Sequence, residues 1–73
     1  MAKASFWMAV LYDKDGYELG TRYADTRKDA MKEARYLASD TWAQRHETTH
    51  AALGSYRVAV MRDYATCIWD KLL

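Results

Sequence analysis

From Ser5 to Tyr12 the chain reads SFWMAVLY, with Phe6, Met8, Val10 and Tyr12 alternating with Trp7, Ala9 and Leu11. A period of two marks a strand, and apolar residues in both sets mark a strand that is central or covered on both faces. Asp13-Lys14-Asp15-Gly16 then forms a turn, with Gly16 available for positive φ. Between Tyr17 and Tyr23, Tyr17, Leu19, Thr21 and Tyr23 alternate with Glu18, Gly20 and Arg22. That is the half-buried pattern of a strand nearer an edge, and Gly20 marks a bulge or a close backbone approach.

At Thr26 the period changes. Ala30, Ala34, Leu37, Ala38 and Thr41 recur at steps of three and four, with Met31 and Trp42 at the edge of the arc. The spacing predicts one amphipathic helix from Thr26 to His46, opened by Thr26 or Asp25 as N-cap. An arc so rich in Ala lets the helix lie close to a sheet, which must supply the large side chains. On the outer side Lys28, Lys32 and Arg35 project together, continued by Ser39 and His46, while Asp29, Glu33 and Asp40 form an acidic edge. Tyr36 and Ala43 lie between. This is the ordinary solvated face of a surface helix, or else a contact stripe with Tyr36 as aromatic anchor.

Beyond Gly54, which has the character of a helix terminator, Ser55 to Arg62 predicts a third strand and Ala65 to Asp70 a fourth, reversed at Asp63-Tyr64. In the third, Tyr56, Val58 and Val60 face opposite to Arg57, Ala59 and Met61; in the fourth, Cys67 and Trp69 face opposite to Thr66, Ile68 and Asp70. The order β-β-α-β-β implies an α+β domain, a four-stranded antiparallel sheet with one helix packed on one face. The second face is expected to carry Trp7, Leu11, Ala59, Met61 and Ile68, interrupted by Arg57 and Thr66. Such a face is covered by a second copy or a partner, or by its own long Arg and Tyr side chains.

The 73 residues make one domain, residues 1–73, too small for stability to be generous. A single cysteine, Cys67, excludes an internal disulfide and suits a reducing, cytoplasmic setting. No apolar run reaches the roughly 20 residues of a membrane span, and the segment after Met1-Ala2-Lys3 is too short and strand-like for a signal peptide. Net charge is only +1, from eleven Lys and Arg against ten Asp and Glu, which is not the footprint of a general nucleic-acid binder. Local basic patches remain compatible with phosphate.

One short motif carries chemistry. His46-Glu47-Thr48-Thr49-His50 resembles the H-E-x-x-H signature of zincin metallopeptidases, in which two histidines one turn apart on a helix hold zinc and the Glu acts on the bound water. That resemblance implies His46 and His50 as metal ligands and Glu47 as general base. A zincin also needs a third ligand and a cleft, and the only downstream carboxylates are Asp63 and Asp70. The expectation is therefore no metal, no cofactor and no catalysis, with His46 and His50 kept as the metal candidates. The three glycines are too scattered for a phosphate loop, and Asp13 and Asp15 lack the remaining positions of a calcium loop.

The hairpin–helix–hairpin layout, small size and scarcity of cysteine resemble phage-encoded inhibitors of host defence of the anti-CRISPR type. The resemblance implies stoichiometric binding to a host protein or nucleoprotein complex in the host cytoplasm, without catalysis. The expected contact residues are Lys28, Lys32, Arg35 and Tyr36 on the helix, with Trp7 and Arg57 on the second sheet face. A homodimer is a further possibility. The alternative is a nucleic-acid-binding domain that stacks bases on sheet aromatics and holds phosphates with Arg and Lys.

Overall fold

A computed structural model describes residues 6–64 and 66–73. The Met1-Ala2-Lys3 segment and the expected strand starts at Ser5 and Ala65 lie outside the described residues. The elements are β1 (Trp7–Asp13), β2 (Glu18–Ala24), α1 (Arg27–Leu37), α2 (Asp40–Arg45), α3 (His50–Leu53), β3 (Ser55–Arg62) and β4 (Thr66–Leu72). The four strands form one antiparallel sheet in the order β2-β1-β3-β4. The α+β fold with two hairpins flanking helical chain is as the periodicity implies. The single helix is not.

The expected Thr26–His46 helix breaks after Leu37. Thr26 caps α1 as its side chain predicts, accepting from the Asp29 amide at 3.1 Å. Ala38 ends α1, and Ser39, in extended conformation, caps α2 by accepting from the Trp42 amide. The Ser39 hydroxyl also donates to the Tyr36 carbonyl at 2.6 Å, so one side chain serves both helix ends. Breaking there changes which residues face the sheet. On a continuous helix Trp42 would lie at the edge of the Ala30–Ala34–Leu37 arc and Ala43 outside it; after the break both are buried, and Thr41, expected inside, is exposed. The bend thus supplies the one large aromatic that the lean α1 face lacks.

The core joins Ala30, Ala34, Leu37, Trp42 and Ala43 to Ala9 and Leu11 of β1 and Val58 and Val60 of β3. Gly20 of β2 lies directly beneath: a Cβ there would sit 3.1 Å from the Trp42 ring. The expected bulge is present too, since the register shifts between Leu11 and Tyr12 and leaves Leu19 as the extra residue opposite them. Gly54 closes α3 at φ 69°, where a Cβ is unfavourable.

Leu11 and Trp7 are on the helix side, not on the second face. Trp7 packs against the helix-side core and lies opposite Arg62, while Leu11 lies opposite Val58. The second face instead carries Met8, Val10 and Tyr12 of β1 with Arg57, Ala59 and Met61 of β3. A strand apolar on both sides gives no signal for the face a helix will cover, because its two alternating sets are equally hydrophobic.

A second bulge decides the geometry of β4. Cys67 pairs with Met61 and Trp69 with Val60, so Ile68 is an extra residue between them. Cys67 and Trp69, expected on one face, therefore lie on opposite faces. Trp69 and Lys71, which pairs with Val58, come to the helix side; Cys67, Asp70 and Leu72 go to the other.

Candidate functional site

On the second sheet face, side chains from within the chain close over the apolar centre. Met8, Val10 and Ala59 are 1 %, 2 % and 0 % exposed although no second layer covers them. At one end Phe6, Tyr23 and Tyr64 pack edge to face with ring centroids 5.2–6.4 Å apart. The Tyr23 and Tyr64 hydroxyls hydrogen-bond to each other, and this bond raises the Tyr23 pKa. Asp63 and Tyr64 both have positive φ, as the tight turn that brings Tyr64 there demands. At the other end the Arg57 guanidinium lies 4.7 Å from the Tyr12 ring centroid and pairs with Asp70 at 3.4 Å. Burial raises the Tyr12 pKa, with the positive charge of Arg57 opposing. A hollow of about 400 Å³ at this end has charges of both signs on its wall, Lys14 and Arg57 against Asp13 and Asp70.

The helix side is different over β4. The α1 helix packs chiefly on β1, β2 and β3, and beside β4 lies a cleft of about 360 Å³ lined by Arg35, Ala38, Val58, Trp69 and Lys71. Trp69 is half-buried against the core and forms one wall, with a cation from the helix and one from the edge strand beside it. Among the described residues no carboxylate lines this cleft, and neither Arg35 nor Lys71 makes an ion pair. Lys32 and Lys28 stand three and seven positions before Arg35, on the same exposed side of α1. The other flank of α1 is self-neutralised: Arg22 reaches up from β2 to Glu33 at 2.8 Å and covers the Tyr36 ring at 5.3 Å.

The expected contact residues are therefore split four ways. Arg35 lines the cleft, with Lys28 and Lys32 exposed along the helix leading to it. Tyr36 is half-buried under Arg22 on the opposite flank. Trp7 and Arg57, expected together, are on opposite faces: Trp7 lies under the Arg62 guanidinium at 5.8 Å, and Arg57 covers Tyr12. Sequence reasoning missed Trp69 and Lys71 as site residues, because only the bulge at Ile68 places them beside Arg35.

The H-E-x-x-H segment does not form the helical arrangement of a zincin. His46 ends α2, Glu47 has φ 56°, and His50 begins α3, so a helix break separates the two histidines. Both rings stack on Trp42, with centroids at 4.2 and 5.8 Å. His50 Nε2 lies 3.0 Å from the Ser39 carbonyl and Nδ1 3.1 Å from the Ser55 hydroxyl. A carbonyl only accepts, so in the neutral ring Nε2 carries the proton and Nδ1 accepts from Ser55. His46 Nδ1 is likewise held by the Trp42 carbonyl at 2.8 Å. His50 ties the start of α2 to the start of β3, while His46 bonds back to its own helix, and ligation by His50 would cost one of its two bonds. Among the described residues no three His, Cys, Asp or Glu side chains gather as a metal set. Asp13 is likewise occupied locally, accepting the Asp15 and Tyr17 amides at 2.9 Å. Among the described residues, no helix is long and apolar enough to cross a membrane.

Comparison with family models, with characterised proteins and with solved structures found no match.

Proposed function

We propose that this chain is a non-enzymatic binding module that presents the α1–β4 cleft to an anionic partner and acts by occupying it. The observation that carries this reading is the wall of the cleft. Arg35 and Lys71 share it with Trp69, and among the described residues no carboxylate lines it or pairs with either cation, whereas Arg22, Arg57 and Arg62 each have a carboxylate within 4 Å. Two cations on one cleft attract an anion and repel each other, so a negatively charged occupant stabilises the pair. In the setting implied by the layout, the partner is a host nucleoprotein complex, bound stoichiometrically and thereby inhibited.

The test is affinity capture from a bacterial lysate, with and without nuclease, using tagged wild type and a folded Arg35→Glu/Lys71→Glu variant. A defined complex recovered near stoichiometry by the wild type and lost from the variant supports the reading. Equal recovery by both removes the cleft from the contact surface.

A further inference from the structure

Resting on that cleft reading, we propose that its occupant is single-stranded nucleic acid, with a base stacked on the Trp69 indole and the flanking phosphates held by Arg35 and Lys71. An acidic protein segment would satisfy the two cations, but it would leave the aromatic wall beside them without a role. Nucleic acid satisfies both at once. Its bases offer a flat π face at every step, and its phosphates repeat along the strand, so an aromatic and two cations in one cleft match the polymer.

Three further observations agree. The bulge at Ile68 puts both Trp69 and Lys71 on the helix side, and bulges commonly re-aim side chains at functional sites. The cleft, at about 360 Å³, has room for a nucleotide. Lys32 and Lys28 continue along α1 from Arg35, giving a cationic track for the next phosphates. The near-zero net charge is no obstacle, because the fold separates the charges: Glu33 pairs on the far flank of α1 and Asp70 on the opposite sheet face.

The experiment is fluorescence anisotropy at low salt with three labelled probes: ten-residue oligothymidylate, ten-residue oligouridylate and poly-glutamate of equal charge. The oligonucleotides should bind and poly-glutamate should bind far more weakly. Trp69→Ala should weaken oligonucleotide binding by about tenfold or more, with Trp69→Phe retaining most of it. Lys71→Glu should weaken it and lower the magnitude of the salt slope by about 0.7. The third probe keeps the outcome interpretable if Trp69→Ala does not fold. Preference for one oligonucleotide distinguishes DNA from RNA as the source. If poly-glutamate binds as tightly as either oligonucleotide and still depends on Arg35 and Lys71, the nucleic-acid inference fails and the anionic-cleft reading stands. If no probe binds, or charge reversal changes nothing, both fail.

Discussion

The two sides of the sheet solve the same problem in opposite ways. Each has apolar residues of β1 and β3 at its centre and aromatic residues near its rim. On the side away from the helices the rim folds inward: Arg57 covers Tyr12 and pairs with Asp70, and Phe6, Tyr23 and Tyr64 pack on one another. On the helix side α1 and α2 supply the cover, and beside β4 Trp69 shares an open cleft with Arg35 and Lys71. Apolarity of a face is thus a poor guide to where a partner binds. What distinguishes the two regions is the charge beside the apolar centre: Arg57 on the far side has Asp70 as partner, whereas among the described residues no carboxylate lines the cleft of Arg35 and Lys71.

The comparison can be broken first through stability. If the uncovered face is closed by its own side chains, Met8→Ala removes a buried core residue and should cost about 2–5 kcal/mol in chemical denaturation. A cost below about 0.5 kcal/mol would mean that Met8 behaves as surface. Binding through the cleft should be unchanged wherever the variant is folded. Next in size, Arg57→Ala should cost about 0.5–1 kcal/mol through its ion pair and its contact with Tyr12, again without altering binding; a loss of binding would move the contact surface to the far face.

A deletion sharpens the comparison further. Removing one residue from a strand normally turns every following side chain to the other face. Ile68 is the bulge residue, so its deletion should restore regular alternation while leaving Trp69 and Lys71 on the helix side. Cleft binding should stay within about twofold, whereas deletion of Asp70 should abolish it by turning Trp69 or Lys71 away. Smallest is an alkaline effect. The Tyr12 and Tyr23 phenols are raised above the usual value of 10.0, by burial and by the bond to Tyr64 respectively. The folded state then holds protons that the unfolded chain releases, so stability is full below about pH 10 and falls as pH rises through the folded values. Tyrosinate absorbance and denaturation as functions of pH check this, and Arg57→Gln should shift Tyr12 further upward.

Much of the fold is legible in the sequence, and the failures share a cause. Alternation locates all four strands, Thr26 marks a helix start through its side chain, and Gly54 marks a helix end because it lacks one. The break at Ser39 is hidden because Ala38, Thr41 and Trp42 continue the helical period, although Ser39 caps α2 and bonds the Tyr36 carbonyl and the bend buries Trp42. The face of β1 is hidden because both its residue sets are apolar. The bulge at Ile68 leaves no mark in composition, and it alone turns Trp69 away from Cys67. The basic half of the candidate site, Lys28, Lys32 and Arg35, follows from helical spacing. Its aromatic half is hidden by that single extra residue, which breaks the alternation read along β4.

The most direct test of an open cleft against a closed face is a nuclear magnetic resonance titration with ten-residue oligothymidylate at low salt, following backbone amides and the three indole N–H signals. The account predicts that shifts concentrate on the Trp69 indole and on the amides of Arg35, Ala38 and Lys71, with the Trp42 indole and the amides of Tyr12, Tyr23 and Arg57 unmoved. Shifts that concentrate on Tyr12, Arg57, Tyr23 and Tyr64, with Trp69 unmoved, would contradict it.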